Sequence, residues 1–220
     1  MKHPVVSSKG GAAAKRGIKL AKIEAVIFDL GGVLIDVHLE PLRRRLERRG
    51  LPDLAEEIRR QPQAALLNSG RIGPQDFYRW VEQRYALGLT FEEFREAWCS
   101  IFSPRPAMEE LVRQLAGKVR LGLLSDTDPM HWGHLCRHYR FLELFPRPVL
   151  SFQVGAVKPS EVMYQAAAES VGTAAGRCFY TDDLPENVEG ARRAGMRAVL
   201  FESPAQIEQL LKEENLLETV

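Results

Sequence analysis

The 220-residue chain is 45% hydrophobic and 27% charged, with a formal net charge of +1, the profile of an ordinary soluble globular protein. That balance lacks the basic excess that would recruit nucleic acid, and no apolar run reaches the length that spans a bilayer. Three separated cysteines, Cys99, Cys136 and Cys178, form neither a CxxC pair nor a disulfide framework, so a reducing cytoplasm is the expected compartment.

In chain order, Met1 to Lys22 is rich in Gly, Ala, Ser and basic residues and lacks a secretory apolar core. It reads as a flexible tail outside the fold rather than an amphipathic targeting peptide. Ile23 to Leu34 begins as a mostly apolar, partly β-branched run, the pattern of a buried strand, which ends on Asp29 followed by Gly31 and Gly32. A carboxylate at that place is costly unless something pairs with it or coordinates it. From His38 to Ser103 no strand signal appears. Helical patterns run from Pro41 to Arg49, Leu54 to Leu67, Pro74 to Tyr85 and Thr90 to Phe102, with Thr90 and Glu93 spaced as a capping box. Phe77, Trp80, Val81, Phe91, Phe94 and Trp98 recur at helical spacing and predict the core of a small helical bundle.

Beyond Pro106 strands and helices alternate. Strands are expected at Val119 to Leu124, Pro148 to Phe152, Arg177 to Thr181 and Ala198 to Phe201. Helices are expected at Met108 to Leu115, Pro129 to His138, up to Val171, Glu186 to Ala194 and Pro204 to Leu211. This is a βαβ pattern, hence an α/β fold with a mostly parallel, Rossmann-like sheet. Residues 23–37 and 104–220 would form the core and residues 38–103 an inserted helical cap. Functional groups in such sheets lie beyond the carboxyl ends of the strands. Asp29, Ser125 and the pair Asp182 and Asp183 each fall there, and Lys158 sits in a loop before a helix. Clustered carboxylates repel one another unless a cation sits among them, and an all-oxygen set suits Mg²⁺. With the charge so screened, Asp29 can attack phosphorus while Ser125 and Lys158 hold the phosphate.

Four stretches resemble, in order, the motifs of the haloacid dehalogenase (HAD) superfamily. They are Phe28-Asp29-Leu30-Gly31-Gly32-Val33, Leu123-Leu124-Ser125-Asp126, Gly155 to Pro159 around Lys158, and Thr181-Asp182-Asp183 with Asn187 to Gly195. The insertion resembles that superfamily's C1-type cap. The resemblance implies a hydrolase with Asp29 as the nucleophile, forming an aspartyl-phosphate. It implies Mg²⁺ held by Asp29, Asp183 and the Gly31 carbonyl, with Asp182 as an additional or outer contact. Ser125, Asp126 and Lys158 would bind substrate, and Asn187 would orient Lys158 or the acid pair.

One departure matters. Most phosphatases of the superfamily carry a second Asp at the place of Gly31 as general acid and base. The run Ser125-Asp126-Thr127-Asp128-Pro129-Met130-His131 resembles the Ser-Asn-Thr-Asn-x-x-His run of a sugar-phosphatase-like subgroup that also has glycine there, with both asparagines replaced by aspartate. His131 at a helix start is a candidate substitute acid, set against a solvated or partly buried helix face that it would share with His134 and His138. The expected activity is hydrolysis of a small phosphomonoester, sugar phosphates included. The alternatives are a 2-haloacid dehalogenase, whose last motif needs no paired acids, and a catalytically impaired relative that binds a ligand or partner. The expected partner is a small phosphorylated metabolite, with no nucleic acid or membrane, in a monomer or homodimer.

Overall fold

The computed structural model describes residues 21–47 and 53–218. Most of the tail expected over Met1 to Lys22, and the arginine-rich helix end at Arg48 and Arg49, lie outside those residues. The chain opens with β1 (Ala25–Phe28) and a short β2 (Ile35–Val37), then runs through α1 (Glu40–Glu47), α2 (Leu54–Arg59), α3 (Pro62–Asn68), α4 (Pro74–Tyr85) and α5 (Phe91–Trp98). It returns through β3 (Phe102–Pro104) into α6 (Pro106–Leu115), β4 (Arg120–Ser125), α7 (Pro129–His138), β5 (Val149–Leu150), α8 (Ser151–Val154) and α9 (Glu161–Val171). It then completes β6 (Cys178–Asp182), α10 (Pro185–Arg193), β7 (Arg197–Leu200) and α11 (Pro204–Glu213).

Five strands form one parallel sheet in the order β5-β4-β1-β6-β7. All four residues of the central strand β1 are buried, because both faces of the sheet are covered. Alternation decides which face each residue serves. Val26 and Phe28 pack with Met108, Leu111, Val112 and Leu115 of α6 and with Ile207 and Leu211 of α11. Ala25 and Ile27 pack with Met163, Tyr164 and Ala167 of α9 and Val188 and Ala191 of α10. The result is a three-layer α/β/α core, as the βαβ pattern implies.

Helices α1 to α5 gather around a separate cluster that includes Leu46, Ile58, Leu67, Phe77, Phe94 and Trp98, joined by Met130 of α7. The aromatic stripe is therefore core. The capping box at α5 forms as its spacing predicts, with the Glu93 N–H donating to Thr90 Oγ1 at 3.3 Å and the Thr90 N–H to Glu93 Oε2 at 2.8 Å.

Three expectations need correction. Ile35–Val37 and Phe102–Pro104 pair as a two-stranded antiparallel ribbon at the neck of the helical insertion, where no strand signal was legible; three residues are too few to show alternation. The helix expected over Leu54 to Leu67 is two helices. Pro62 cannot continue a helix and Gln61 before it is extended, at φ −77° and ψ 147°. The strand expected over Pro148 to Phe152 pairs only at Val149 and Leu150, after which Ser151 starts α8.

Candidate active site

The carboxyl ends of β1, β4 and β6 bring the predicted side chains together. Asp29 follows β1 and is still held in the sheet, its N–H donating to Thr181 O at 3.0 Å. Ser125 and Asp182 are the last residues of β4 and β6, both buried. Lys158 comes from the loop between α8 and α9. Its backbone N–H donates to both carboxylate oxygens of Asp126, at 3.0 and 3.1 Å, which fixes the loop against the end of β4.

The buried Lys158 ammonium donates to Asp29 Oδ1 and to Asp182 Oδ2, each at 2.7 Å. Burial opposes its charge, yet Asp29, Asp182 and Asp126 outweigh burial and hold Lys158 above its ordinary range. Asp182 is saturated: besides Lys158 it accepts from the Tyr180 hydroxyl, from the Leu184 N–H at 2.9 Å and from Asn187 Nδ2 at 3.0 Å. Asn187 thus holds Asp182 Oδ1 in place.

One carboxylate oxygen each of Asp29, Asp182 and Asp183 lies within 4.8 Å of the others. Burial first, and Asp182 after it, push the Asp29 carboxyl up against the pull of Lys158. Partial burial and Asp182 likewise raise Asp183. Against burial, Lys158 and its other donors hold Asp182 below its ordinary value, so the two raised carboxylates of the cluster are Asp29 and Asp183, and such a pair fits a hard divalent cation. The neighbouring backbone fits too. The Leu34 and Ile35 N–H groups donate to Leu30 O, while Gly32 O and Val33 O accept from Arg105, which leaves the Gly31 carbonyl unengaged among the described residues.

These groups open into a cleft of about 560 Å³ between the sheet edge and the helical insertion. Asp29, Gly31, Ser125, Asp126, His131, Lys158, Asp183 and Asn187 line it, whereas Asp182 stands behind. Arg59, Asn68, His38 and Phe102 line it from the insertion and its neck. In helix α1, Arg43 and Arg44 pair with Glu40 at 2.7 and 2.8 Å.

His131 lines the cleft with both ring nitrogens committed. Nδ1 faces Asp128 Oδ2 at 2.9 Å and Nε2 faces Trp98 O at 3.1 Å. The ring stacks on Trp98 with centroids 5.4 Å apart. The ring thus ties α7 to α5 from a partly buried helix face.

Sequence reasoning missed Tyr180 and Arg105, and gave Asp128 no role. Tyr180 had a signal, because it precedes Asp182 by two in a strand and shares its face. Asp128 had one in the Asp-Pro step that opens α7, where its carboxylate caps the N–H groups of Met130 and His131 at 2.8 and 3.1 Å. Arg105 had none, since its partners Asp36, Gly32 and Val33 lie about seventy residues away.

The structure thus sets a buried aspartate, a lysine and an acid cluster at one edge of a parallel sheet, under a helical insertion. A family model for haloacid dehalogenase-like hydrolases matches residues 23–195, and the chain belongs to that family. It is 30% identical over 203 residues to "Phosphatase MT3486" of Mycobacterium tuberculosis, covering 84% of this chain and 89% of the relative. It is 22% identical over 199 residues to "D-ribitol-5-phosphate phosphatase" of Bacteroides thetaiotaomicron, covering 86% and 97%. Among solved structures, the HAD family enzyme bt-2542 of Bacteroides thetaiotaomicron, in complex with magnesium and inorganic phosphate, superposes with a TM-score of 0.75 at 24% identity, covering 82% of this chain and 94% of that one.

Proposed function

We propose that this protein is a Mg²⁺-dependent phosphatase of a small phosphomonoester, with sugar and polyol phosphates the first candidates. The observation that carries the reading is the buried Lys158 ammonium clamped between Asp29 and Asp182 beside the Asp183 carboxylate. Relatives named as phosphatases, one of D-ribitol 5-phosphate, support it. In this reading the helical insertion is the cap that closes on the leaving group.

Asp29 and Asp183, with the Gly31 carbonyl, would hold Mg²⁺, which supplies positive charge where the phosphate oxygens meet the carboxylates. Asp29 attacks phosphorus and forms an aspartyl-phosphate, which water then hydrolyses. Lys158 neutralises the incoming phosphate and stays in place because Asp182 holds it. Asp182, with all its acceptor directions taken by protein donors, serves as that anchor and stands outside the metal's own ligands. The Ser125 hydroxyl, with no side-chain hydrogen bond among the described residues, is free to donate to a phosphate oxygen.

Phosphate release from p-nitrophenyl phosphate tests the reading. Turnover that requires Mg²⁺ and disappears in Asp29→Asn is expected. Halide release from 2-chloropropionate without phosphatase activity would favour the dehalogenase chemistry instead. Silence in both assays, with Mg²⁺ still bound, would leave a ligand-binding relative.

A further inference from the structure

Gly31 offers no proton to a leaving alcohol, and the structure shows what fills the space beside it. A Cβ on residue 31 would lie 3.2 Å from Val37 Cγ2. The neck strand β2 thus occupies the volume next to Gly31, and the following residue, His38, lines the same cleft as Asp29 and Lys158. The His38 backbone is fixed there, its N–H donating to Ile101 O at 2.7 Å across the ribbon.

The other proton carriers on the cleft wall are committed. Asp36 accepts the Arg105 guanidinium, Asp126 accepts the Lys158 N–H on both oxygens, and His131 is held at both ring nitrogens. Asp183 belongs to the acid cluster. The His38 imidazole alone carries no side-chain hydrogen bond among the described residues, and imidazole is the group best suited to exchange a proton near neutral pH.

We propose that His38, delivered by the neck of the cap, is the general acid and base that replaces the missing side chain at Gly31. The inference rests on the phosphatase reading. As Asp29 Oδ bonds to phosphorus, the bond from phosphorus to the ester oxygen breaks and its electron pair stays on that oxygen. The oxygen takes the imidazolium proton of His38, and neutral alcohol departs. In the second step water attacks phosphorus and gives its proton to the now neutral imidazole. The phosphorus–Asp29 bond breaks, the pair returns to the carboxylate, and His38 is protonated for the next cycle. A donor on the cap's neck would tie proton delivery to the seating of the insertion over the sheet edge.

The dependence on the leaving group reads this out. A p-nitrophenolate departs without a proton, whereas an alkoxide needs one. The full chain with Mg²⁺ is assayed on p-nitrophenyl phosphate and on a panel of sugar and polyol phosphates. His38→Gln is expected to lose about 10²-fold or more in kcat on the alkyl esters, the usual worth of general acid catalysis. The aryl-ester loss should be smaller by about tenfold or more. His38→Ala should regain alkyl-ester activity on addition of free imidazole. Equal losses on both classes, no loss on either, or no rescue would overturn the assignment while leaving the phosphatase reading intact. A wild-type chain that turns over only the aryl ester also overturns it, because no donor then serves an alkoxide. Failure of the wild type on every phosphoester would sink the phosphatase reading and this inference together.

Discussion

Gly32 sits at φ +82°, in the left-handed region, and a Cβ there would come within 2.2 Å of Asp183 Oδ2. Gly32→Ala therefore meets two obstacles: a backbone cost of about 1–2 kcal/mol and a displaced Asp183. Activity should fall about 10²-fold, the usual penalty for misplacing a reacting group by an ångström, with weakened Mg²⁺ binding seen by titration calorimetry. An unchanged Mg²⁺ affinity would mean that Asp183 is no ligand. Asp182 makes a second case. Asp182→Asn keeps the shape but turns an NH2 group either toward Lys158 and Tyr180 or toward the Leu184 N–H and Asn187, all of them donors to the native carboxylate. Breaking one side of a buried charge pair typically costs about 3–5 kcal/mol. Urea unfolding of this variant should show a loss of that order, together with much lower turnover.

At the level of elements, the first turn of α7 joins the two parts of the molecule. Asp128 caps that turn, accepts the Trp98 indole N–H from α5 at 3.1 Å, and pairs with His131. Burial alone would raise the Asp128 carboxyl, but His131 and its other donors outweigh burial and hold it below its ordinary value. A carboxyl depressed in the folded state contributes stability that is complete above its unfolded value of about 3.9 and is lost as the pH falls through the folded one. Asp128→Asn retains a cap oxygen but loses the charge. Its stability at neutral pH should drop by about 1–3 kcal/mol, and its acid limb should be flatter than that of the wild type in unfolding series across pH. A parallel acid limb would refute the role. On the same helix, burial first and then the charges of His138 and Arg137 lower His134 to about 4. Its ring resonances should therefore stay those of the neutral form until well below pH 6.

The elements also show where sequence patterns stop carrying information. Strand ends bearing Asp29, Ser125 and Asp182 were legible because a βαβ pattern fixes which end of each strand is functional. The Thr90 capping box was legible because its partners are three residues apart. The neck ribbon was not, since β2 and β3 hold three residues each and pair across the whole insertion. Nor was the Arg105 fork on Asp36, Gly32 and Val33, although it props the loop that follows Asp29. Gly190 gives a milder example. Its place in the last motif is visible in sequence, but only packing explains it: a Cβ would lie 2.7 Å from the Tyr164 hydroxyl and 2.8 Å from Pro159 Cβ. That close approach seats α10 against α9 and the Lys158 loop.

Taken whole, the molecule is a sheet core and a helical insertion with separate hydrophobic clusters, meeting over a cleft whose floor is negative. Asp29 and Asp183 are both raised, so the fold carries an electrostatic cost at that floor. A cation bound there removes the cost only while the chain is folded, and so it must stabilise the whole fold by mass action. At free Mg²⁺ of 100 times its dissociation constant the gain is about 2.7 kcal/mol. For a chain of this length each kcal/mol moves Tm by about 2–4 °C. A rise of about 5–10 °C over the EDTA-treated protein is therefore expected in thermal unfolding, and it should vanish in Asp183→Asn. The same rise in that variant would place the cation elsewhere, and the acid cluster at the sheet edge would need another explanation.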